Sequence, residues 1–322
     1  MTSRAMVAGL GLDQGQAGQW GIDATAIQPK TFATESRLLY VQPNHALATD
    51  AGNTGEDPGT PFATVAAALL RCRAYRGDIV LVGGNDAWTY GGQSTWTTPI
   101  LETVTVNVPG VAIIGAHTSP LGTYWTAPSA GAACIVVNAL DVIIQGFAFQ
   151  ANASGSCITA EWDGATLWGE NLIVRSCYFD DTWDAAITLE YSWNCHIYNN
   201  VFQSCDAFGI WVDPAGSGVA FLDIHHNWFL EIGTTALLLS DCSDSNIHHN
   251  VFYNSTAVAA GAAPAAFIDT AAGARNIVHN NTMSCLLPVP ANGDYNDVNS
   301  AAATDAWVHN LCLDGPSVTN PT

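Results

Sequence analysis

Four aspartates follow two recurring phenylalanines and could form an acidic cluster: Asp180, Asp181, Asp184 and Asp206. In such a cluster one carboxylic acid could protonate a glycosidic oxygen while a second carboxylate activates water, and Trp183 could stack on the sugar. Aspartate is also an ordinary turn residue, and 28 Asp plus Glu in 322 residues bring acids together by chance. We therefore keep glycoside hydrolysis as an alternative and assign no catalytic residue.

Histidines form a second set at corresponding positions of successive repeats: His225, His226, His248, His249, His279 and His309. Neutral imidazoles that stack on an outer face could bind a divalent metal. No carboxylate recurs beside them to orient the rings, and a polar column also suits a solvated strand. The prediction is therefore no metal site and no cofactor.

The tryptophans and cysteines indicate packing and surface contacts and do not indicate a particular catalytic reaction. Exposed tryptophan serves glycan stacking or protein interfaces, so it favours neither an enzyme nor an assembly protein. The nine cysteines occur singly, without a CxxC spacing, which predicts buried free thiols instead of disulfides or a zinc site. Eight of the eleven tryptophans fall near turns or at outward strand positions: Trp88, Trp96, Trp125, Trp162, Trp168, Trp183, Trp193 and Trp211.

A repeat positions all of these residues. Each copy begins with Ile or Val and has Phe or another apolar residue five positions later, and several copies have Asn in between. The copies span residues 144–149, 174–179, 197–202, 224–229, 247–252, 278–283 and 308–313, with a looser copy at 108–114. Successive copies lie 23 to 31 residues apart, a variation that a parallel β-helix tolerates because insertions fall in its turns.

Within each repeat the Ile and Phe side chains are predicted to point into the bore. The Asn is expected at the bend between two strands, in the left-handed conformation, with its amide bonded to the Asn one rung away. Four residues should form this ladder: Asn200, Asn227, Asn250 and Asn281.

The predicted fold is all-β: a single-stranded right-handed parallel β-helix of about eight rungs, with an N-terminal capping helix and an extended N-terminal arm. Residues 1–37 are the docking arm, and residues 38–100 hold the opening strand, the capping helix from about Thr60 to Tyr75, and the first rung. Residues 101–315 form the β-helix rungs, and residues 316–322 are a C-terminal tail.

This repeat resembles the pectate-lyase-like right-handed parallel β-helix superfamily over about residues 38–315. Tyr40, Val41 and the segment 59–64 also resemble the front end of many bacteriophage β-helix virion proteins. The superfamily includes lyases, hydrolases, tailspikes and non-enzymatic virion proteins, so the resemblance implies the fold more than the function. A lyase would need calcium-holding carboxylates with an arginine nearby as base, and the repeats offer only the well-separated Arg175 and Arg275.

Charge and hydropathy restrict the partners. Eight Lys plus Arg against 28 Asp plus Glu give a net charge of -20, which repels nucleic acids and anionic membranes. The chain shows neither a signal-peptide pattern nor an apolar stretch of about 18 residues. We expect a protein that is made in the host cytoplasm and located in a virion, with no nucleic-acid or membrane partner.

The function that these patterns favour is a non-enzymatic bacteriophage virion structural protein, either a capsid decoration (cement) protein or a head-fibre subunit. Its partners would be other virion proteins such as the major capsid protein, bound through the N-terminal arm, and two further copies in a homotrimer, with glycan contact also open. The alternative is a tailspike-type polysaccharide depolymerase, a glycoside hydrolase that uses the carboxylates from Asp180 to Asp206. A third reading is a sugar-binding module that uses the tryptophans alone.

Overall fold

The computed structural model describes residues 36–83, 99–116, 122–151, 154–162, 164, 169–182, 184–213, 218–239, 241–254, 266–270, 273–285 and 304–312. The expected C-terminal tail, and the expected docking arm apart from Ser36 and Arg37, lie outside these residues. Within the described residues the regular structure is one short helix and many short strands, which pair in parallel into three sheets.

The strands, numbered in chain order, enter the three sheets in rotation. The first sheet contains, in stacking order, β1 (Leu38–Val41), β2 (Ile79–Val82), β5 (Ala112–Gly115), β8 (Ile143–Gln145), β11 (Ile173–Arg175), β14 (His196–Tyr198), β17 (Asp223–His225), β20 (Asn246–His248), β23 (Ile277–His279) and β25 (Ala306–Val308). The second contains β3 (Ile100–Leu101), β6 (Tyr124–Thr126), β9 (Ala148–Gln150), β12 (Tyr178–Asp180), β15 (Val201–Gln203), β18 (Trp228–Leu230), β21 (Val251–Asn254), β24 (Thr282–Cys285) and β26 (Leu311–Cys312). The third contains β4 (Val104–Val106), β7 (Ile135–Val137), β10 (Ile158–Ala160), β13 (Ala185–Leu189), β16 (Phe208–Val212), β19 (Thr235–Leu238) and β22 (Ala266–Asp269).

This strand order is that of a parallel β-helix, because from β3 to β21 every strand pairs with the strand three places further along the chain. The predicted all-β fold is confirmed. Among the described residues the sheets contain ten, nine and seven strands, which bracket the expected number of about eight rungs.

Two inward columns of the repeat fill the bore in the predicted register. Ile144 pairs with Val174 on the first sheet, and Phe149 pairs with Phe179 on the second, and all four side chains are fully buried. The phenylalanine column continues through β21 with ring-centroid distances of 5.3, 4.8, 4.6 and 4.9 Å. Burial of a continuous apolar column is the main stabilising contribution available to a solenoid, since each rung contacts only its neighbours.

The last copy of the repeat is displaced from its predicted position. Trp307, and not Val308, pairs with the inward Val278, and Cys312 pairs with Met283. Trp307 is buried while Val308 is 39% exposed. A shift of one residue exchanges the inner and outer faces of a strand, so the predicted copy at 308–313 is wrong by one position. At the other end Ile113 stands opposite Ile144, within the predicted copy at 108–114.

A column of asparagines lies at the bend between the first and second sheets: the buried Asn200, Asn227, Asn250 and Asn281, and the partly exposed Asn310. In each rung the side-chain amide donates to the Oδ1 of the next Asn at 3.0 Å, and that Oδ1 also accepts the backbone N–H of the donor residue. The second amide hydrogen reaches a backbone carbonyl, for example that of Ile224 from Asn250 at 2.9 Å. Every polar atom of these buried side chains is therefore bonded.

The left-handed residue at this bend is not the ladder asparagine but the residue before it. Positive φ angles of 53° to 56° occur in each rung at this preceding position: Ser176, Asn199, His226, His249, Asn280 and His309. The sequence-based assignment of the left-handed conformation to Asn200, Asn227, Asn250 and Asn281 is wrong by one residue. The preceding residue turns the chain outward, which leaves the ladder amide pointing into the bore.

The capping helix is shorter than predicted. Helix α1 spans Val65–Leu69, and the Thr64 side chain accepts the N–H of Ala67 at its start. After Leu70 the backbone N–H groups of Arg71 and Cys72 reach back only three positions, and the chain leaves the α-helix well before Tyr75. The helix packs against β1, β2 and β4 at the N-terminal end of the stack.

The structure also bears on the state of the cysteines and on membrane-spanning helices. The seven cysteines whose side chains the structure describes are free, and six of them are buried, as predicted for small apolar side chains. In the described segments of the chain, no helix has the length and apolar character needed to span a membrane.

Candidate functional site

Three of the four candidate aspartates lie at or just after the C-terminal ends of two neighbouring strands of the second sheet, β12 and β15. Asp180 ends β12 and is opposite Gln203 on the next rung. Asp181 follows in a left-handed turn with φ 50°, and its Oδ2 accepts a bond of 3.2 Å from the Gln150 amide. Asp206 lies in the corresponding turn one rung further on, where its N–H donates to the Thr182 carbonyl.

Burial and mutual repulsion perturb these carboxyl groups. Burial raises the pKa of Asp180, and the negative charge of Asp181 raises it further. Burial also raises the pKa of Asp206, again with a contribution from Asp181. Asp184 does not belong to this group, because after burial it is the charge of Asp213 that raises its pKa. The structure thus separates Asp184 from the predicted cluster: Asp181 interacts with Asp180 and Asp206, whereas Asp184 interacts with Asp213.

The set of three could supply a proton donor, but its surroundings are amides and phenols. Tyr124 donates to Gln150, and Tyr178 donates to Gln203 at 2.8 Å. Burial and the charge of Asp180 raise the pKa of Tyr178 to about 12, so this phenol stays protonated at neutral pH. The candidate sugar platform Trp183 lies outside the described residues.

The two arginines of the repeat region are bonded away from this acidic set. Arg175 donates to Gln145 and Tyr198 on the first sheet. Arg275 forms a bidentate pair with Asp244, with N–O distances of 2.7 and 2.6 Å. A lyase-type arrangement, with an arginine base beside the carboxylates, is therefore not formed by these residues.

Replacing Asp180 by Asn should stabilise the protein at neutral pH. Because the folded-state pKa of Asp180 is raised, its contribution to stability is fully present below its ordinary pKa and is lost as pH rises through the raised value. The neutral amide avoids this loss and matches the Gln203 amide beside it. We expect a gain of no more than about 1 kcal/mol at pH 7, because solvent screens the partly exposed carboxylate.

Thermal melting of the wild type and Asp180→Asn at pH 7 and pH 3 measures this difference. The gain in Tm should be present at pH 7 and absent at pH 3, where both side chains are neutral. An equal gain at both pH values would show that the effect is not electrostatic.

The histidines form two parallel columns on the outer face of the first sheet. His225, His248 and His279 end β17, β20 and β23, and neighbouring rings stack at 4.9 and 5.0 Å. His226 and His249 occupy the left-handed positions that follow, and their rings stack at 5.1 Å. The sequence predicted one column at corresponding positions, whereas the strand geometry separates it into two.

One carboxylate serves several of these rings. Asp223 on β17 lies 3.1 Å from His248 Nε2, 3.4 Å from His196 Nδ1 and 3.8 Å from His225 Nε2. Burial lowers the pKa of His248, and Asp223 opposes this effect. Asp223 was not predicted from the sequence, because no carboxylate recurs beside the histidines in every repeat. In the structure this single carboxylate lies close to histidines on three rungs. In the part of the chain that the structure describes, no group of three or more His, Cys, Asp or Glu side chains is arranged to hold a metal.

A third surface was not anticipated from the sequence. We name it the second-sheet strip, defined by the outward side chains of five consecutive strands: Val201, Gln203, Trp228, Leu230, Val251, Tyr253, Thr282, Ser284 and Leu311. None of these residues is charged. Trp228 is 55% exposed and Leu311 is 53% exposed. Trp228 precedes the inward Phe229, so the alternation of a strand could have placed it outside.

The predicted outward tryptophans have mixed outcomes. Trp162 and Trp193 are exposed. Trp125 is fully buried and packs edge-on against Phe147 inside the bore, so its outward placement is wrong. It occupies the aromatic position of its rung, opposite Phe149. Four others lie outside the described residues: Trp88, Trp96, Trp168 and Trp183.

Comparison with known proteins finds one family model and two similar solved structures. Residues 151–252 match the family model described as a right handed beta helix region, and no curated protein matches the chain. Among solved structures the chain is similar to ORF18 of Geobacillus virus E2, with 10% identity, a TM-score of 0.35, and coverage of 85% of this chain and 62% of that one, less than two thirds of its length. It is also similar to pectate lyase Pel9A, with 11% identity, a TM-score of 0.33, and coverage of 86% of this chain and 77% of the lyase. The strand order, together with the family model that matches residues 151–252, shows that the chain has a right-handed parallel β-helix fold.

Proposed function

We propose that this protein is a non-enzymatic structural subunit of a bacteriophage virion, a capsid decoration protein or head-fibre subunit, that assembles through the second-sheet strip. The observation that supports this most is the absence of charge from the strip on a chain with a net charge of -20. The resemblance of the segment around Tyr40 and residues 59–64 to the front end of phage β-helix proteins supports the virion assignment.

The composition of the strip fits a protein interface. The centre of such an interface is depleted of charged residues and enriched in aromatic ones, and Trp and Tyr are frequent energetic hot spots. On two neighbouring rungs Trp228 pairs with Val251, and Leu230 pairs with Tyr253. The two aromatic side chains are therefore diagonal neighbours on the outer face. Five strands at about 4.8 Å spacing give a flat surface roughly 20 Å long.

The occupant we infer is a second copy of the same chain. Two molecules that each have a charge of -20 repel one another over most of their surfaces, so they can approach closely only where both lack acids. The strip also has the same axial repeat in each copy, which allows parallel rods to match rung for rung. A homotrimer with its axis along the rods, and an N-terminal arm (residues 1–37) that binds the major capsid protein, complete the proposal.

Glycoside hydrolysis is the second candidate, favoured by one specific observation. The pKa of Asp180 is raised by burial and by the adjacent Asp181, which is how a carboxyl group becomes a general acid. Such an enzyme would release reducing ends from a polysaccharide, and Asp180→Asn would abolish that activity while leaving the oligomeric state unchanged.

The test of the assembly proposal is Trp228→Asp, with Phe221→Asp as the matched control. Phe221 precedes β17 and Trp228 follows it in the same rung, and the two side chains are 56% and 55% exposed. The left-handed backbone of residue 221 also accommodates Asp. Light scattering should give an oligomer for the wild type and for Phe221→Asp, and the 33.9 kDa monomer for Trp228→Asp. A wild type that stays monomeric at high concentration, or equal dissociation of both variants, would overturn the proposal.

A further inference from the structure

The two histidine columns contain a feature that the proposed assembly does not use. We call it the paired-histidine array, defined as His225, His226, His248 and His249. In each of the two rungs the Nδ1 atoms of the adjacent histidines lie 2.8 Å apart. The paired rings are nearly perpendicular, at 87° and 86°. Two imidazole nitrogens thus converge in the same way on successive rungs.

The backbone produces this convergence. His225 and His248 are the last residues of their strands and point outward beside one another. The next residue is left-handed, with φ 54° in His226 and 55° in His249, which brings its ring back over the preceding ring. Three other rungs have Ser176, Asn199 or Asn280 at this turn position, so the second imidazole of each pair comes from a residue that the turn itself does not require.

The Asp223 carboxylate determines which nitrogen of His248 faces its partner as an acceptor. A carboxylate only accepts hydrogen bonds, so the His248 Nε2 at 3.1 Å from Asp223 Oδ1 must be the protonated nitrogen. In the neutral ring the Nδ1 then has a free lone pair that points at His249 Nδ1. Metal-binding histidines are oriented in this way, with the nitrogen that does not bind the metal donating to a carboxylate.

From this geometry we propose that each histidine pair is a bidentate site for a divalent transition metal ion of the Zn²⁺, Ni²⁺ or Cu²⁺ type, bound through the two Nδ1 atoms. Metal–imidazole bonds of about 2.0–2.1 Å place two cis nitrogens about 2.9 Å apart at a right angle and about 3.4 Å apart in a tetrahedron. The observed Nδ1–Nδ1 distance of 2.8 Å is close to the smaller value. Rotation of the exposed His226 and His249 rings would lengthen it to the larger, tetrahedral value.

Each ion would be held by two protein ligands and completed by water, since the described residues provide no third side chain at the same point. Such a site is open and of moderate affinity. Imidazole ligands favour Zn²⁺, Ni²⁺ and Cu²⁺ over Mg²⁺ and Ca²⁺, which prefer oxygen. When no metal is bound, the same two nitrogens share one proton as an N–H···N hydrogen bond.

The next rung has the same turn but only one histidine, which shows that a chelating pair requires His at the turn position. His279 has a neighbour of a different type, Asn280, whose amide donates to His279 Nδ1 at 3.0 Å. An amide nitrogen has no lone pair available for a metal, so this rung forms the same turn without a chelating pair. Asn at this position therefore preserves the fold and removes the site.

The test uses NiCl₂ and the full chain after treatment with EDTA. Isothermal titration should show saturable binding of one to two Ni²⁺ per wild-type chain, and Tm should rise with Ni²⁺ concentration because the ion binds the folded state. The double variant His226→Asn/His249→Asn should lose both effects while keeping the wild-type Tm in EDTA.

His309→Asn is the matched control, because His309 occupies the same left-handed turn position but lies outside the array. It should bind Ni²⁺ as the wild type does. Binding that is unchanged in the double variant, or abolished in His309→Asn, would overturn the proposal. So would MgCl₂ producing the same rise in Tm as NiCl₂, since that would indicate screening of the -20 charge rather than imidazole chelation.

Discussion

Phe229→Ala is expected to destabilise the centre of the stack by about 3–5 kcal/mol, the usual cost of removing a buried phenylalanine ring. Phe229 is fully buried, and its ring stacks on Phe202 at 4.6 Å and on Phe252 at 4.9 Å. The ring also lies close to Gly209, which has no side chain to fill the space that the ring leaves. The cavity therefore separates two halves of the aromatic column.

Chemical denaturation and hydrogen exchange measure this effect together. Denaturation should give the loss in the free energy of unfolding, and exchange should locate the loss in β15, β18 and β21 because each rung contacts only its neighbours. Phe221→Ala, which removes an exposed ring from the same rung, should change the free energy of unfolding by about 0.5 kcal/mol or less. Equal losses in the two variants would mean that the aromatic column does not hold the stack together.

The central rungs were predictable from the sequence because their apolar spacing is fixed while the turns absorb all variation in length. Ile197 and Phe202 recur at the same interval as Ile224 and Phe229, and each pair occupies the same place in the bore. The ends were less predictable, because Trp307 and Cys312 replace the usual Ile and Phe. At that rung the apolar Val308 is as plausible an anchor as Trp307, and only the register with Val278 decides between them.

The chemistry-bearing residues were predictable only where the repeat aligned them. Asp180 and Asp206 follow equivalent phenylalanines, and the structure places both near Asp181. Asp184 interacts with Asp213, which follows a strand on the next rung and belongs to no repeated motif. Asp223 was missed for a related reason: besides the directly opposite His196, it contacts His248, which lies diagonally across on the next rung. Diagonal contacts depend on side-chain direction, which a sequence spacing does not contain.

Asn250→Ala is expected to cost about 3–5 kcal/mol, through orphaned partners rather than lost volume. Asn250 Oδ1 accepts both the backbone N–H and the side-chain amide of Asn227, each at 3.0 Å. Its own amide donates to the Ile224 carbonyl at 2.9 Å and to Asn281 Oδ1 at 3.0 Å. Alanine leaves these groups buried without those bonds, and water cannot replace them because Asn227 and Asn281 are fully buried.

Asn246→Ala is the matched control, since it makes the same substitution on the same rung outside the bore. Asn246 is partly exposed and accepts one bond, from His279 Nε2 at 3.0 Å, which water can replace. Its cost in the free energy of unfolding should stay within about 1 kcal/mol. Denaturation of both variants should therefore differ by several kcal/mol. If the two losses were alike, the buried asparagine column would add nothing measurable to the free energy of unfolding. The apolar columns of Ile and Phe alone would then determine stability.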